Sequence, residues 1–291
     1  MEPIFLQVEQ SLSSSIVDIS QAFGGSVSDS RLITLDNGQR FFLKIDQSTE
    51  PSIGAEADGL RRLRESGSIR TPKIISEDKH YLVLEYISPG SLDRADFKAL
   101  GTQLARLHKN SHQYWGLDRN NFIGSTLQIN DQCRDRTWAQ FFLKARLGPQ
   151  IYWLRKRGLW PADLQSLEDQ LVSVVESLLS EQSDLRPSLL HGDLWSGNVL
   201  WDKQGSPILI DPAIYWGHRE ADLSLAILFG GFSDDFFRAY DEEWPREPGF
   251  EARVQIYILY HLLNHVNIFG SAYLTQTRKL IKSLISEQGG H

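Results

Sequence analysis

A carboxylate and an amide lie between two apolar runs in the segment "LLHGDLWSGNVLW", residues 189–201. Asp193 and Asn198 are five residues apart, and Asp211 follows thirteen residues after Asn198, behind the apolar segment "PILI". A strand, loop and strand of this length can bring the three side chains into one pocket. A carboxylate and an amide oxygen suit Mg²⁺, and a second carboxylate can take the proton of an attacking hydroxyl. The spacing favours kinase-type phosphoryl transfer, in which a D-x4-N loop precedes a metal-binding aspartate.

A kinase also needs groups that hold the nucleotide phosphates, and the first ninety residues offer candidates. Lys44 lies on a predicted strand and Glu56 on the next predicted helix, so the ammonium can bridge phosphate oxygens while the carboxylate fixes it. The preceding Gly24, Gly25 and Ser26 can lay backbone N–H groups against phosphates, although an ordinary turn is an equal alternative.

The adenine base needs backbone partners, and a strand end supplies them. Glu85, Tyr86 and Ile87 close the apolar run "YLVLEYI", where a kinase hinge would offer backbone groups to adenine. The sequence contains neither GxGxxG nor GxxxxGK[ST], which argues against Rossmann and Walker sites. We therefore predict a nucleotide site of the kinase kind in this part of the chain.

The apolar periodicity divides the chain into two parts. Residues 4–20 predict an amphipathic helix, two strands surround the Asn37-Gly38 turn, a helix follows in "EADGLRRLRESG", and "PKIISEDKHYLVLEYI" supplies two more strands. This gives a β-rich lobe over 1–87, a hinge at "SPGS" and a mainly helical lobe over 88–291. The second lobe contains the following predicted segments: helices from Ala95 onward and near 137–147, 161–182, 219–229 and 250–286, and strands at 188–190, 198–201 and 207–210.

Composition restricts the environment and the partners. The chain has 291 residues, 41% of them apolar, and a formal net charge of −7, which gives no electrostatic footprint for nucleic acid or an anionic membrane. Cys133 is the only cysteine, so no internal disulfide can form, and the composition suits a reducing compartment. No basic segment precedes an apolar core at the start, and the apolar run "LSLAILFGGF" is too short to span a bilayer. We expect a soluble cytoplasmic protein.

The region after Asp211 limits the kind of acceptor. Asp222, which begins an apolar predicted helix, follows Asp211 by only eleven positions, so there is no room for the activation segment of a protein kinase. A small or locally presented hydroxyl is therefore the favoured acceptor. Asp222 is predicted to accept hydrogen bonds from the backbone of the catalytic loop, with simple helix capping as the alternative.

Several longer segments resemble one known family. They are "YWGLDRNNFIGSTLQIN", "WAQFFLKARLGPQ", "HGDLWSGN", "DPAIYWGHREADLSLAILFGGF" and "YHLLNHVNIFGSAY". With them the chain resembles the fructosamine kinase (ketosamine 3-kinase) family, a branch of the aminoglycoside-phosphotransferase-like and protein-kinase-like fold. The resemblance implies a bilobal α+β fold and ATP-dependent phosphorylation of the 3-hydroxyl of ketosamines, carried by free amines or by glycated protein lysines. The family is associated with deglycation repair.

The resemblance also implies residue roles. Asp193 would be the base, Asn198 and Asp211 would bind Mg²⁺, and Lys44 with its partner Glu56 would hold the ATP phosphates. Three further residues are candidates for sugar or amine contacts, each with a place in the core as the alternative: Trp195, His218 and His265. The polar segment 120–126 is a candidate lining of the acceptor side, and a solvated turn is the alternative. His191 is expected to orient the catalytic loop by hydrogen bonding.

Two other functions remain open on the sequence. One is a small-molecule phosphotransferase of the aminoglycoside or choline kinase type, and the other is a nucleotide-binding pseudokinase module. Every expected catalytic residue is present, which disfavours the pseudokinase. The preferred sugar, the amine carrier and the oligomeric state are not determined by the sequence.

Overall fold

The N-terminal part is an antiparallel sheet with one helix on each face. A computed structural model of the protein describes residues 3–21, 29–131, 137–180 and 185–288. The elements of this part are α1 (Pro3–Leu12), β1 (Ile16–Gln21), β2 (Asp29–Leu35), β3 (Arg40–Ile45), α2 (Ile53–Glu65), β4 (Ile74–Asp78) and β5 (Tyr81–Glu85). The five strands are in the order β1-β2-β3-β5-β4.

The alternation of side chains along β3 decides which face Lys44 occupies. Leu43 and Ile45 belong to the buried cluster that α1 covers, whereas Phe42 packs in the cluster that α2 covers. Successive residues of a strand point to opposite faces, so Lys44 shares the α2 face with Phe42. The side chain of Lys44 is thereby directed toward the helix that carries Glu56.

The predicted helix over 4–20 is wrong in its second half. The helix ends at Leu12, Ser13 has a positive φ of 52°, and Ile16 begins a strand that pairs with Leu35. The run of serines at 13–15 explains the end of the helix, because serine side chains compete for backbone hydrogen bonds and favour turns. The hydroxyl of Ser14 donates to Asp36 at the start of the next turn.

The C-terminal part is mainly helical and holds three short two-stranded ribbons. A long helix, Phe250–Phe269, lies at its centre and packs against the helices Glu220–Phe229, Gly148–Lys156 and Leu274–Gln288. The elements are α3 (Phe97–His108), β6 (Asn121–Ile123), β7 (Thr126–Gln128), α4 (Trp138–Phe142), a π-helical turn (Leu143–Leu147), α5 (Gly148–Lys156), α6 (Ala162–Gln165), α7 (Glu168–Ser180), β8 (Ser188–Leu190), β9 (Val199–Trp201), β10 (Pro207–Leu209), β11 (Tyr215–Gly217), α8 (Glu220–Phe229), α9 (Asp234–Glu243), α10 (Phe250–Phe269) and α11 (Leu274–Gln288).

The three strands predicted around the catalytic loop are present, and their pairing fixes that loop. Strand β9 pairs with β10 as the expected hairpin, whereas β8 pairs with β11, a strand that the sequence reading did not predict. Residues 191–198 therefore run between two anchored ribbons. The sequence reading also missed the β6–β7 ribbon and α9, and the segment 250–286 is two helices divided at Gly270.

Membrane-spanning helices are not found among the residues the structure describes. No helix there combines the length and apolar character that crossing a bilayer requires.

Candidate active site

Lys44 joins the N-terminal sheet to the catalytic region. Its ammonium donates to Glu56 Oε1 at 2.7 Å and to Asp211 Oδ1 at 2.5 Å, and its side chain is almost fully buried. Burial alone would lower the pKa of Lys44, but the two carboxylates outweigh it and raise the pKa. Lys44 is therefore a fixed cation at the wall of the pocket.

Asp193 and Asn198 are held together within the catalytic loop. Asn198 lies in a 3-10 turn, Ser196–Asn198, and its Nδ2 donates to the Asp193 carbonyl at 2.8 Å and to Asp193 Oδ2 at 3.0 Å. Burial raises the pKa of Asp193 to about 7; the hydrogen bond from Asn198 opposes this shift, and the nearby Asp211 and Asp222 add to it. A carboxylate with this pKa is suited to accept a proton near neutrality.

Gly192 allows the catalytic loop to approach the segment after Asp211. Its φ is +82°, and a Cβ at this position would lie 2.0 Å from the Ala213 carbonyl oxygen. No side chain fits there, so only glycine permits this turn. The Ala213 N–H donates to the His191 carbonyl at 2.9 Å and ties the two segments together.

Asp222 holds the catalytic loop through hydrogen bonds to its backbone, which is the role that the sequence predicted for this residue. Its Oδ2 accepts from the His191 N–H at 2.7 Å, and its Oδ1 accepts from the Gly192 N–H at 2.8 Å. Its Oδ2 also lies 3.0 Å from His108 Nε2. Burial alone would raise the pKa of Asp222, but the hydrogen bonds from His108 and Gly192 lower it. The carboxylate is therefore a permanent acceptor beneath the loop.

His108 is a supporting residue that the sequence reading missed. It is fully buried on α3, and its Nδ1 lies 2.8 Å from the Tyr240 hydroxyl. Burial lowers the pKa of His108, so the ring is neutral, donates from Nε2 to Asp222 and accepts from Tyr240. A single histidine in an amphipathic helix gives no signal of such a role.

His191 has the geometry of an orienting residue. Its Nε2 lies 2.9 Å from the Ile210 carbonyl, and its Nδ1 accepts from the Asp193 N–H at 3.3 Å. Burial lowers the pKa of His191, so the neutral ring links the catalytic loop to the end of β10. The backbone of Asp211, one residue further, has an unusual φ of +54°, which aspartate tolerates better than most residues and which turns this carboxylate toward Lys44.

The structure brings six of the predicted site residues into one pocket: Lys44, Glu56, Asp193, Trp195, Asn198 and Asp211. Its lining comes from both parts of the chain and from the β6–β7 ribbon: Lys44, Ser52, Ala55, Glu56, Asn121, Phe122, Gly124, Asp193, Trp195, Asn198, Asp211, Pro212 and Ala213. The ribbon therefore lines the pocket through Asn121, Phe122 and Gly124, and a role of the segment 120–126 on the acceptor side stays a prediction.

A buried polar network holds the β6–β7 ribbon in place. Asn121 Nδ2 donates to the Ile214 carbonyl at 2.8 Å, while Gln128 and Asn130 both donate to Asn121 Oδ1, at 2.9 and 2.6 Å. Arg146 donates to Asn130 Oδ1 at 2.8 Å. All four side chains are buried, so the wall is rigid where it meets the pocket. Sequence patterns give no sign of this network.

The three predicted substrate contacts have different environments. Trp195 lines the pocket and is 40% exposed, and His265 lies half-buried in contact with Phe229 at a ring distance of 5.0 Å. His218 is instead buried in the core, where its Nδ1 lies 2.7 Å from the Tyr257 hydroxyl. His218 does not line the pocket. Its ring packs in a cluster of large apolar side chains, so it has the core position that the sequence allowed as the alternative.

The predicted adenine contacts lie on a separate groove. The Glu85 carboxylate accepts from Arg70 at 2.8 Å and from the Lys73 N–H at 3.1 Å, so its side chain is already engaged. Tyr86 stacks under Arg40, whose guanidinium lies 4.2 Å from the ring centre. The backbone contacts of Glu85, Tyr86 and Ile87 to adenine stay a prediction. Gly24, Gly25 and Ser26 lie outside the described residues.

The possible metal ligands form a pair and not a cage. Among residues 3–21, 29–131, 137–180 and 185–288, no group of three or more His, Cys, Asp or Glu side chains could enclose a metal ion. Asn198 and Asp211 both line the pocket and offer an amide and a carboxylate oxygen. This oxygen donor set fits Mg²⁺, which proteins usually bind through one or two side chains together with substrate phosphates.

Comparison with known proteins identifies the relatives of this chain. The fructosamine kinase family model matches residues 3–287. A probable ketoamine kinase of Vibrio parahaemolyticus is 40% identical over 271 residues, covering 90% of this chain and 91% of the relative. The chloroplastic protein-ribulosamine 3-kinase of Oryza sativa subsp. indica is 37% identical over 276 residues, covering 91% and 78%.

Solved structures agree with the fold. A crystal structure from Haemophilus somnus, named as a candidate fructosamine-3-kinase, has a TM-score of 0.86 and 29% identity, covering 97% of this chain and 96% of the other. A choline kinase of Streptococcus pneumoniae has a TM-score of 0.67 at 16% identity, covering 98% and 99%, and shows a shared fold alone. The predicted α+β, protein-kinase-like fold is thus confirmed. Since the family model spans nearly the whole chain, this protein belongs to the fructosamine kinase family.

Proposed function

We propose that this protein transfers the γ-phosphoryl group of ATP to the 3-hydroxyl of a ketosamine, a sugar joined through its C1 to an amine. The proposal rests mainly on the convergence of Lys44, Asp193 and Asp211 on one pocket that the β6–β7 ribbon also lines. The names of the relatives, ketoamine kinase and ribulosamine 3-kinase, support the substrate class.

Asp193 acts as the base in this mechanism. Its carboxylate accepts the proton of the 3-hydroxyl as the hydroxyl oxygen attacks the γ-phosphorus in line. The new oxygen–phosphorus bond forms while the bond between the γ-phosphorus and the β–γ bridging oxygen breaks, and ADP leaves with the electron pair of that bond. Asn198 keeps the carboxylate oriented through its 3.0 Å hydrogen bond.

Lys44 and the candidate metal ligands compensate the negative charge of the ATP phosphates. The Lys44 ammonium, fixed by Glu56, binds phosphate oxygens, and Asn198 with Asp211 would hold Mg²⁺. When bound, the ion neutralises charge on the β- and γ-phosphate oxygens. Asp211 would serve as a ligand of that ion while its contact with Lys44 connects the two parts of the chain.

The chemistry of the product supports a role in deglycation. Phosphorylation makes the oxygen at C3 a better leaving group. After enolisation between C1 and C2, inorganic phosphate leaves C3 with the electron pair of the C–O bond, and water then hydrolyses the resulting C1 imine to the free amine and a 3-deoxyosone. The substrates would be ribulosamine or fructosamine adducts on free amines or protein lysines.

A panel of acceptors tests the proposal. The protein is incubated with ATP, Mg²⁺ and a ribulosamine, fructosamine or erythrulosamine adduct of the lysine side-chain amine. ADP release is measured, and ³¹P NMR shows which carbon carries the phosphate. We expect ADP release with at least one adduct and a phosphate on C3. Turnover of choline or an aminoglycoside in place of every ketosamine would establish the alternative phosphotransferase, and ATP binding without any turnover would establish the pseudokinase.

A further inference from the structure

Helix α2 contacts the C-terminal part along one stripe of its surface. Glu56, Gly59 and Arg62 are spaced three residues apart, and residues at this spacing are neighbours on a helix. Glu56 contacts Lys44, whose ammonium also contacts Asp211. The other two positions of the stripe reach the C-terminal part directly, so the stripe holds α2 against it.

Gly59 lets the helix approach the segment that follows Asp211. A Cβ at position 59 would lie 2.9 Å from Cγ of Pro212 and 3.6 Å from the Ile214 side chain. Glycine in the middle of a helix costs stability relative to alanine, and here the close approach of the two segments explains its presence. The helix therefore lies in direct contact with the residue next to Asp211.

Arg62 forms an ion pair with Asp118 across the boundary between the two parts of the chain. Its Nη2 donates to Asp118 Oδ1 at 2.9 Å and to Asp118 Oδ2 at 2.8 Å. Its Nε donates to Asp58 Oδ2 at 3.0 Å, one helical turn earlier, which orients the guanidinium. Burial alone would raise the pKa of Asp118, but the hydrogen bond from Arg62 outweighs it and lowers the pKa. Both partners are therefore charged at neutral pH.

Asp118 lies on a segment that is itself anchored. The preceding Leu117 is buried, and Gly116 exchanges two backbone hydrogen bonds of 2.8 Å with Trp216 on β11. Strand β6, which lines the pocket, begins at Asn121, three residues after Asp118. Asp118 is thus a fixed point of the C-terminal part against which α2 is held.

Two contacts on one stripe determine the orientation of a helix better than one. At Gly59 alone the helix could still rotate or slide, whereas the ion pair of Arg62 one turn further along opposes both movements. We infer that Arg62 is a positioning residue for phosphoryl transfer: its ion pair with Asp118 holds α2 so that Glu56 keeps Lys44 at the phosphate side of the pocket. The inference rests on the proposed function, because Lys44 is the cation proposed to bind the ATP phosphates.

The exposure of the pair separates this role from a role in folding. The side chain of Arg62 is 27% exposed and that of Asp118 is 49% exposed. Ion pairs with this much solvent contact contribute little to folding stability. The loss of the pair therefore changes the geometry of the site while the protein stays folded.

Arg62→Met tests the inference with the ketosamine that the acceptor panel identifies. We expect kcat to fall about threefold and KM for ATP to rise about threefold, because Lys44 is less often in place. A loss of folded protein alone would lower kcat without raising KM for ATP. Arg62→Lys keeps the charge and should restore most of both values.

A second substitution shows whether Arg62 acts through Glu56. In a Glu56→Ala background the position of α2 no longer fixes Lys44, so adding Arg62→Met should change kcat and KM for ATP by less than about 1.5-fold. Arg61→Met is the matched control. Arg61 is the adjacent arginine of the same helix and pairs with Glu77 on β4, within the N-terminal part, so its removal should leave both values unchanged.

Three results would overturn the inference and leave the proposed function standing. They are unchanged kcat and KM for ATP in Arg62→Met, an equal loss in Arg61→Met, and an undiminished effect of Arg62→Met in the Glu56→Ala background. Failure of the unmodified protein to phosphorylate any ketosamine would refute the proposed function and the inference together.

Discussion

Lys44 on strand β3 and Asp211 after strand β10 form an ion pair of 2.5 Å, although 167 positions separate them in the sequence. The pair connects the sheet of the N-terminal part to the catalytic segment of the C-terminal part. Lys44 also contacts Glu56 at 2.7 Å, so one ammonium organises two carboxylates. The nucleotide side of the pocket therefore depends on this single cation.

Replacing Lys44 by methionine tests that dependence. The substitution removes the phosphate-binding cation and leaves Glu56 and Asp211 without their partner, so we expect kcat to fall about a hundredfold and KM for ATP to rise about tenfold. Steady-state kinetics with varied ATP measures both. Lys109→Met is the control, since Lys109 pairs with Glu243 on the surface, and its kinetics should match those of the unmodified protein.

The contact between His108 and Asp222 predicts an indirect effect on catalysis. His108→Leu leaves Asp222 short of one donor and Tyr240 short of its acceptor, so we expect kcat to fall about tenfold with little change in KM for ATP. Gln at position 108 keeps an N–H donor near the position of Nε2 and should restore most of the lost kcat. A loss of folding stability without any effect of Gln on kcat would contradict a positioning role.

The buried network behind the β6–β7 ribbon predicts a change in acceptor binding. Tyr260 donates to Gln128 Oε1 at 3.0 Å, so Tyr260→Phe removes one hydrogen bond from the network and costs about 1 kcal/mol of stability. If the ribbon lines the acceptor side as predicted, KM for the ketosamine rises severalfold and KM for ATP stays within twofold. Equal increases of the two KM values would argue against a wall specific to the acceptor.

Buried neutral histidines predict a loss of stability in acid. Burial lowers the pKa of His261 to about 3, and the neighbouring His265 adds to the effect, whereas the unfolded chain has a pKa near 6.5. The unfolded state therefore binds the proton first as the pH falls below 6.5. The contribution of His261 to stability is complete above pH 6.5 and declines by about 1.4 kcal/mol per pH unit toward pH 3.

His261→Phe isolates this contribution. Urea unfolding between pH 6.5 and 5 should show a slope of unfolding free energy against pH that is smaller by about one proton in the variant. The Nδ1 atom of His261 has no hydrogen-bond partner in the described structure, so the phenylalanine breaks no hydrogen bond at that atom. An identical slope in the two proteins would show that His261 is already accessible to protons in the folded state.

The sequence predicted the residues that share the pocket better than it predicted the residues that support them. Asp193, Asn198 and Asp211 were found because a loop between strands fixes their spacing, and Lys44 with Glu56 because a strand and the next helix must face each other. His108 and Arg146 were missed, since a buried histidine and a buried arginine look like surface residues of amphipathic helices. His218 was misread because proximity along the chain to the motif does not show which face of the backbone a side chain occupies.

The shortest elements were also beyond the sequence patterns. Strands β6, β7 and β11 have three residues each, too few for a period of two to be recognised. The equally short strands β8, β9 and β10 were predicted because they flank the catalytic motif. Strand β6 nevertheless lines the pocket, and β11 pairs with β8 next to the catalytic loop. The end of α1 at Leu12 depended on a run of serines whose turn-forming tendency outweighed an apolar pattern that continued to Ile16.

Asp193→Asn shows whether Asp193 takes the proton of the ketosamine hydroxyl. Asparagine has nearly the same shape and can still contact Asn198, but it cannot accept the proton. ADP formation with a ribulosamine adduct and the Kd for ATP are measured in both proteins. We predict that turnover falls at least about a thousandfold while the Kd for ATP changes less than about threefold. Turnover in the variant within about tenfold of the unmodified protein would contradict the assignment of Asp193 as the base.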